Sequence, residues 1–275
     1  MPSRNDDPAD VMDALEASMP VALVTTFGLE SVDAESPLAD ALVRLEALNL
    51  DVVPVRTGDI IVGVLERRVP VAGSAKTVRD ATRPLDDRML VAATDPLLDL
   101  IEALADPPHY RLVLRNRRID GIVTLSDLQR LAVRSLLFSR VAHVELLLAR
   151  WLRERCGTRE EIWLGALSDG RRSKLEKQLA ELRLANMEVD LLTASQFCDK
   201  RDAAVKLGAF SDAKEARSRL KNVEDLRNQI AHANDDYASS EERALQTIRT
   251  AQEARVLIQQ LRSVLEKMGQ ASADL

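Results

Sequence analysis

Apolar and polar positions follow two different periods along this chain. Up to about residue 130, short apolar runs bounded by turn residues predict β-strands, and amphipathic helices separate them. From about residue 135, glycine and proline become rare and apolar residues recur at steps of three and four, which predicts helices. The pattern therefore predicts an α/β region followed by an all-α region.

The first region contains an internal repeat of one supersecondary unit. A Ser36-Pro37-Leu38 run followed by Asp40-Ala41-Leu42 returns as Asp95-Pro96-Leu97 followed by Asp99-Leu100-Ile101. Each copy is predicted to hold a strand, an amphipathic helix and two strands split by a turn, at residues 31–34, 38–48, 52–55 and 60–65 and again at 90–93, 97–104, 111–114 and 119–124. With a closing helix, the unit is strand, helix, strand, strand, helix, and it indicates a mixed α/β domain with pseudo-two-fold symmetry.

The second region is predicted to be a helical bundle. Helices are expected over about residues 211–233 and 241–268, with further segments at 159–190, broken at 168–170, and at 192–207. The core-facing stripes are Leu137, Val141, Val144, Leu148 and Trp151, then Leu220, Val223, Leu226 and Ile230, then Leu245, Ile248, Leu257, Leu261, Leu265 and Met268. Nothing between residues 128 and 155 stops a helix, so a continuous helix is expected there. The expected fold class is α+β, with domains at residues 1–134 and 135–275.

Composition narrows the classes of function. The net charge of −6 argues against broad non-specific binding to nucleic acid, although it allows a local basic cleft. Aromatic residues make up 3% of the chain, too few for the base-stacking platforms of single-strand-binding proteins. Cys156 and Cys198 stand in no paired metal or redox motif and are expected to be reduced thiols. No apolar run reaches the length of a membrane span and the N-terminus is acidic, so a soluble cytoplasmic protein is expected.

One strand of the second copy ends in a motif that two interpretations explain. Residues 121–127, Gly-Ile-Val-Thr-Leu-Ser-Asp, run from the strand into a helix start. The Thr124 hydroxyl and the Asp127 carboxylate then lie where backbone N–H groups and the helix dipole favour a phosphate. The hydroxyl could donate to that phosphate, and the carboxylate could accept from a ribose diol. The same Thr-x-x-Asp spacing is also close to a capping box, and the motif alone favours capping.

The doubled unit with this strand end resembles the paired CBS domains, also called a Bateman module, over roughly residues 11–133. The resemblance implies that an adenine nucleotide (AMP, ADP or ATP), or a related ligand such as a dinucleotide, binds in a cleft between the two copies. It implies a ribose contact for Asp127 and a ribose or phosphate contact for Thr124. It also implies a phosphate contact for Arg111, which stands just before the central apolar strand of the second copy.

The first copy departs from this family pattern at two positions. Glu66 stands where the hydroxyl belongs, and Val69 stands where the aspartate belongs. A carboxylate at that point would repel a phosphate group. The sequence therefore predicts at most one competent nucleotide cleft.

The helical region carries the run Arg227-Asn228-Gln229-Ile230-Ala231-His232 near the end of a helix. At about 3.6 residues per turn, Asn228 and His232 share a face that lies opposite to the apolar stripe, so they face solvent or a partner. Arg227 lies at the edge of the stripe, and its long side chain can place the guanidinium at the boundary. A histidine in the last turn of a helix also suits the helix dipole, and spacing alone favours that structural role.

Arginine and histidine together also suffice for metal-independent RNA cleavage. A histidine can take the proton from a ribose 2′-hydroxyl or protonate the leaving oxygen. An arginine can stabilise the charge that develops on the phosphorane, and Asn228 could position the phosphate or the imidazole. One chain supplies one such histidine, so acid and base would come from the two chains of a two-fold dimer, or from water.

This motif within a helical bundle resembles the R-N-x-x-x-H signature of HEPN domains, over roughly residues 135–267. The resemblance implies a homodimer. Many HEPN domains are RNases that leave cyclic-phosphate ends, whereas others lack catalysis. HEPN toxins that are neutralised by nucleotidyl transfer carry a tyrosine where this chain has Asn234, which argues against that form of control.

Other charged residues are expected to be structural or solvated. Glu145 could contribute a polar side chain to the cleft, but solvation is the favoured interpretation. The basic pairs Arg171-Arg172 and Lys200-Arg201 could meet a phosphate backbone, but isolated pairs of this kind are more often solvated surface. His143 and Glu145 lack the ligand spacing of a helical zinc site, so no metal site and no required cofactor are predicted.

The leading hypothesis is a cytosolic homodimer in which an adenine nucleotide controls an endoribonuclease. Residues 1–134 would sense the nucleotide, and residues 135–275 would cleave RNA through Arg227, Asn228 and His232. Control is expected to pass through the continuous helix after Asp127. One alternative is a non-catalytic, nucleotide-binding regulatory protein, and a third possibility is a dimerisation scaffold that binds no ligand.

Overall fold

The structure is a computed structural model that describes residues 8–68, 74–184, 190–231 and 237–273. The chain forms two compact units. Unit 1 comprises Met1–Met19, Pro96–Ala105 and Leu128–Leu275, and unit 2 comprises Pro20–Asp95 and Asp106–Asp127. This division differs from the single boundary after residue 134 expected from the sequence. The difference arises because two helices of the N-terminal half pack on the long C-terminal helices of unit 1.

Unit 2 contains two four-stranded sheets built on one plan. The strands are β1 (Thr26–Phe27), β2 (Val32–Asp33), β3 (Val52–Thr57), β4 (Ile60–Glu66), β5 (Arg83–Pro84), β6 (Leu90–Ala92), β7 (Tyr110–Arg115) and β8 (Arg118–Thr124). The sheets have the orders β2-β3-β4-β5 and β1-β8-β7-β6. In each sheet a parallel pair, β2 with β3 or β6 with β7, adjoins an antiparallel hairpin, β3–β4 or β7–β8.

The predicted repeat is confirmed for four elements of each copy. Helix α2 (Leu38–Ala47) lies between β2 and β3 in the chain, and helix α3 (Leu97–Ala103), which belongs to unit 1, lies between β6 and β7. After β8 the chain forms a 3₁₀ turn at Leu125–Gln129. After β4 the chain enters residues 69–73, which lie outside the described residues and include Val69.

Each sheet of unit 2 is completed by a strand that precedes the other copy. Strand β5 comes before the second copy and pairs with β4 of the first, while β1 comes before the first copy and pairs with β8 of the second. At each of these pairings the added strand passes very close to a glycine of the hairpin. A Cβ atom added to Gly63 would lie 2.3 Å from the Arg83 carbonyl oxygen, and one added to Gly121 would lie 2.2 Å from Thr25 Cγ2. The exchange of strands therefore depends on a glycine at the same place in each copy.

Unit 1 is helical throughout its described part. Besides α3, its helices are α1 (Pro8–Ser18), α4 (Leu131–Cys156), α5 (Glu160–Leu164), α6 (Asp169–Leu184), α7 (Leu191–Ala194), α8 (Phe197–Lys206), α9 (Ala213–Ala231) and α10 (Glu241–Ala273). Helix α4 packs against α1, α8, α9 and α10. The predicted stripes are confirmed as the core, since all their members are buried except Leu245 and Met268, which are half-buried. No helix in the described part has the length and apolar character needed to cross a membrane.

The continuous helix predicted between residues 128 and 155 is confirmed from Leu131 to Cys156, but it does not extend back to Asp127. Arg130 has extended backbone (ψ 146°) between the 3₁₀ turn and the first residue of α4. Two distant contacts hold the chain in this shape, because the Tyr237 hydroxyl donates to the Leu128 carbonyl and the Gln129 amide donates to the Ala238 carbonyl. A helix continuing through Leu128 would use that carbonyl for its own ladder. The unbroken helix through which control was expected to pass is therefore interrupted at Arg130.

Candidate functional site

The end of β8 brings Thr124 and Asp127 together as the sequence predicts. The Thr124 backbone N–H donates to Asp127 Oδ2 at 2.8 Å, and the Thr124 hydroxyl donates to the same oxygen at 3.1 Å. Both residues are half-buried. The carboxylate therefore caps the start of the 3₁₀ turn, and hydroxyl and carboxylate stand side by side at the end of a strand.

Arg111 does not join this pair. In the β7–β8 hairpin Tyr110 stands opposite Thr124 and Arg111 stands opposite Val123. Successive residues of a strand point to opposite faces, so Arg111 leaves the sheet on the face opposite to Thr124. Its guanidinium is 6% exposed and donates to the carbonyls of Pro108 and Tyr110. Burial lowers the pKa of the Arg111 guanidinium from its ordinary value.

The corresponding strand end in the first copy holds a different set of side chains. Glu66 accepts a hydrogen bond of 2.6 Å from the Tyr110 hydroxyl and pairs with Arg83 Nη1 at 3.1 Å. Burial, and then the hydrogen bond to Glu66, raise the pKa of the Tyr110 phenol above its ordinary value. One oxygen of the carboxylate that replaces a threonine is thus engaged by two groups of the protein itself.

The two hairpin turns of unit 2 line an open cleft of about 1260 Å³. It lies at the beginning of β8, whereas Thr124 ends that strand, roughly 20 Å away for seven extended residues. Its lining includes Arg56, Arg115, Arg117, Arg118, Asp59, Asp120, Ile60, Ile61, Leu114 and Ile119. From the sequence, residues 116–118 are predicted only as a turn. The density of arginines in that turn is the signal that points to the cleft.

Arg227, the arginine of the candidate RNA-cleaving motif, lies at the surface of unit 1. Its Nε lies 3.9 Å from Glu145 Oε2, and the side chain is 41% exposed. Glu145 also pairs with Lys200 Nζ at 3.0 Å, and Lys200 donates to the Ser195 carbonyl at 2.7 Å. The expectation that Glu145 and Lys200 lie in solvent is wrong, since Lys200 is 5% exposed and paired. The two residues are far apart in sequence, so local patterns carry no sign of this contact.

The remaining members of that motif differ in what can be described. Asn228 is exposed on α9, on the face away from the buried stripe, as predicted. His232 lies outside the described residues, and so does Asn234. The predicted meeting of arginine and histidine therefore stays a prediction.

A buried charged cluster surrounds His143 in unit 1. His143 Nε2 lies 3.1 Å from Arg262 Nη2, and a guanidinium can only donate, so Nε2 accepts and the ring proton is on Nδ1. Nδ1 faces Glu16 Oε1 at 3.5 Å and Asp13 Oδ1 at 3.9 Å. Arg140 binds the other oxygen of Glu16 at 2.7 Å.

Asp13, Glu16 and His143 also have the spacing of metal ligands, since their ligand atoms lie within 4.8 Å of one another. Local charge argues against a dication. Arg140 and Arg262 already neutralise the two carboxylates, at 2.7 and 2.6 Å. A metal on Nδ1 would also force a proton onto Nε2, which would then face the Arg262 donor. The cluster is therefore an ion-pair network, and the sequence did not reveal it because α1 and α4 are distant along the chain.

No family model matches this chain, and no curated protein matches it. Among solved structures it is similar to the CBS domain of the bacterial CNNM/CorC family Mg²⁺ transporter in complex with ATP, at 22% identity over 44% of this chain and 92% of that chain, with a TM-score of 0.36. It is similar to CBSX2 from Arabidopsis thaliana at 21% identity over 44% and 95% of the two chains, with a TM-score of 0.36. A CBS domain-containing protein from Bacillus anthracis gives 16% identity over 46% and 96%, with a TM-score of 0.38. Such low values do not establish membership of a family, and these structures do not confirm the HEPN resemblance.

Proposed function

We propose that unit 2 binds an adenine nucleotide at the end of β8 and that this binding regulates the protein. The observation that carries the proposal is the half-buried pair of Thr124 and Asp127, whose side chains lie 3.1 Å apart at a strand end. Asp127 accepts from the ribose diol, and Thr124 contacts the ribose or the first phosphate. A carboxylate has capacity for further donors while one oxygen caps the turn.

The proposal assigns one nucleotide to each chain. In the first copy, Glu66 is occupied by Tyr110 and Arg83, and a carboxylate there repels phosphate. Arg111, the phosphate contact implied by the family resemblance, lies on the opposite face of the sheet and donates to the carbonyls of Pro108 and Tyr110. The proposed site therefore consists of Thr124 and Asp127 without Arg111.

A second Thr-x-x-Asp turn in the same unit provides a matched control. Thr77 donates to Asp80 Oδ2 through its N–H at 2.9 Å and its hydroxyl at 3.0 Å, before another 3₁₀ turn (Val78–Ala81). This turn does not end either hairpin. Asp80→Asn and Asp127→Asn therefore remove the same capping charge, and only the second touches the proposed nucleotide site.

The test is calorimetric titration of wild type and both variants with AMP, ADP and ATP. We expect Asp127→Asn to weaken the nucleotide that binds by about tenfold or more, because a charge-assisted hydrogen bond to the ribose is lost. Asp80→Asn should bind as wild type does. Equal affinity in all three proteins, or no binding of any nucleotide to wild type, would show that Thr124 and Asp127 only cap a turn.

We further propose RNA cleavage by a homodimer of the helical region as the regulated activity. The specific observation behind it is the partly exposed Arg227, whose Nε lies 3.9 Å from Glu145, a carboxylate that also pairs with Lys200. In a two-fold dimer, His232 of one chain takes the proton of the ribose 2′-hydroxyl and His232 of the other protonates the leaving oxygen. Arg227 stabilises the phosphorane charge, and Asn228 positions the phosphate. The non-catalytic regulator is the alternative.

The experiment compares digestion of total RNA, without metal, by wild type, His232→Ala and Arg227→Ala, each with and without AMP or ATP. Arg217→Ala is the matched control, because Arg217 is exposed on the same helix and pairs only loosely with Asp202 at 3.6 Å. We expect wild type and the control to cleave and the two motif variants to leave RNA intact. Sedimentation of the same samples should give a dimer. Wild type that leaves RNA intact in every condition would overturn the RNA-cleavage proposal and leave the non-catalytic regulator or the ligand-free dimerisation scaffold.

A further inference from the structure

The hairpin cleft of unit 2 concentrates positive charge in an acidic protein. Its lining holds four arginines, Arg56, Arg115, Arg117 and Arg118, against two aspartates, although the whole chain carries a net charge of −6. Arginine presents a fork of donors that matches phosphate oxygens. The arginines come from the equivalent turns of both repeat copies, so a ligand in the cleft would contact both.

Two of these arginines are held in place by the protein. Arg115 stacks on the Phe27 ring, 3.8 Å from the ring centroid to Cζ, and its Nε donates to Asp120 at 2.7 Å. Arg56 donates to the Gly58 carbonyl at 3.1 Å and lies 3.6 Å from Asp33. Their guanidinium groups are therefore ordered before any ligand arrives, which reduces the entropy lost on binding.

The other two arginines carry charge that the chain does not neutralise. Arg117 and Arg118 are exposed and form no ion pair with any residue in the described part of the chain. Asn116 and Arg117 both have positive φ, 51° and 66°, so the tight turn projects them at its tip. The one opposing unpaired carboxylate in the lining is Asp59.

The lining also contains apolar side chains beside the arginines. Ile60 is 70% exposed, and Ile61, Leu114 and Ile119 continue the apolar surface beside the arginines. A large exposed isoleucine next to unpaired cations suits a ligand that joins a flat apolar body to a phosphate chain. The volume of about 1260 Å³ is ample for such a molecule.

We propose that this cleft binds the polyphosphate chain of a small molecule, a second ligand site at the other end of β8 from Thr124 and Asp127. Arg117 and Arg118 bind the terminal phosphates, and Arg56 and Arg115 bind the inner ones. The same chemistry is present in free inorganic polyphosphate and in a nucleoside triphosphate. This site does not depend on the nucleotide site proposed above.

The test is titration of the full chain with inorganic tripolyphosphate and, separately, with ATP at low salt. The variant is Arg117→Gln with Arg118→Gln. The control is Arg44→Gln with Arg79→Gln, which removes the same charge from two exposed arginines of unit 2 that pair with Glu30 and Glu35 outside the cleft. We expect the cleft variant to bind tripolyphosphate at least about tenfold more weakly, and the control to bind as wild type does.

Further arms separate this site from its alternatives. Asp127→Asn should bind tripolyphosphate as wild type does, whatever it does to AMP. ATP binding that the cleft variant also weakens would identify a nucleoside triphosphate, whereas a response to tripolyphosphate alone would identify free polyphosphate. Equal weakening by both double variants would overturn the proposal, since total charge would then explain the binding. Tighter binding of an RNA oligonucleotide, or no tripolyphosphate binding by wild type, would also overturn it.

Discussion

The two repeat copies of unit 2 share a backbone plan and differ in the side chains at the end of their last strand. In both, a hairpin follows a parallel strand, and a glycine admits a crossing strand that precedes the other copy. The first copy ends in Glu66, which Tyr110 and Arg83 occupy. The second ends in Thr124, whose hydroxyl and neighbouring Asp127 remain half-exposed. The same backbone plan thus supports a polar lock in the first copy, the contacts of Glu66 with Tyr110 and Arg83, and a candidate ligand site in the second.

The residues that allow the strands of the two copies to pair are different from the residues that determine what each copy can bind. Backbone pairing needs Gly63 and Gly121 regardless of the chemistry at the strand ends. What each strand end can bind depends on a few side chains there. The strand pairing accommodates either set, Glu66 in the first copy or Thr124 in the second. Substitutions at the glycines should therefore harm stability in both copies, while substitutions at the strand ends should have effects specific to one copy.

The largest effect on stability should come from adding a methyl group at the crossing points. Gly121→Ala places a Cβ 2.2 Å from the Thr25 methyl, and Gly63→Ala places one 2.3 Å from the Arg83 backbone oxygen. A methyl can shift more easily than a paired backbone, so we expect a loss of about 1 to 3 kcal/mol in each case, with Gly63→Ala the worse. Urea unfolding followed by circular dichroism measures both.

Gly170→Ala is the control for these glycine variants. Gly170 lies in the first turn of α6, and nothing stands within 4 Å of the added Cβ. Alanine is the better helix former there, so the free energy of unfolding should stay the same or rise by roughly 0.5 to 1 kcal/mol. If Gly63→Ala and Gly121→Ala match this control, the close crossing of the strands is not what fixes the plan.

The polar lock of the first copy should give the next largest effect. Tyr110→Phe removes the 2.6 Å hydrogen bond to Glu66 and should lower the free energy of unfolding by about 1 kcal/mol at neutral pH. The folded pKa of Tyr110 is raised, so its contribution is complete below the unfolded value of about 10 and is lost as the pH rises through the folded pKa.

Ultraviolet titration of tyrosinate tests the direction of that shift. Wild type has two tyrosines, and Tyr110 should ionise at a higher pH than a free phenol does. The late component should be missing in Tyr110→Phe. A titration curve in which Tyr110 ionises at the ordinary pH would contradict the lock.

The hydrophobic periods predicted those elements whose residues lie close together in the chain. The hairpin strands and most helices follow local alternation, so their bounds fall within a few residues of the sequence prediction. Helix α1 was not predicted, and the segment predicted at 192–207 forms two helices, α7 and α8. Strands β1 and β5 have two residues each and no period of their own, and their pairing partners are distant. The break at Arg130 likewise depends on Tyr237, far along the chain. Local pattern carries no information about such contacts.

The same limit applies to the sites. The contact of Thr124 with Asp127 follows from their spacing alone and was predictable. The face of Arg111 follows from strand parity, once the register with Val123 is known. The burial of Lys200 against Glu145 depends on the packing of α4 on α8, which the sequence does not fix. The sequence shows the density of positive charge in the turn at residues 115–118. It does not show that the turn of the first copy lies beside it and completes a cleft.

The two Thr-x-x-Asp turns sharpen the comparison at a smaller scale. Backbone N–H groups of Thr77 and Lys76, and then the Thr77 hydroxyl, hold the pKa of Asp80 below its ordinary value of 3.8. Its contribution is therefore present above the unfolded pKa and is lost as the pH falls through the lower folded pKa. Asp80→Asn should lower the thermal midpoint at neutral pH, and the difference from wild type should shrink in acid below 3.8. Thermal melts at matched pH values measure this, and a difference that grows in acid would contradict the capping role.

The smallest effect on stability is expected at the tips of the hairpins. Arg117 and Arg118 form no ion pair in the described part of the chain, so replacing both by glutamine removes no stabilising contact. Surface substitutions of this kind usually change the free energy of unfolding by less than about 0.5 kcal/mol. Mutual repulsion of the two neighbouring charges should make any change favourable. The same urea titration checks this, and a clear loss of stability would show that these arginines hold the hairpin in place. Unchanged stability together with lost tripolyphosphate binding would instead show that their charge serves a ligand.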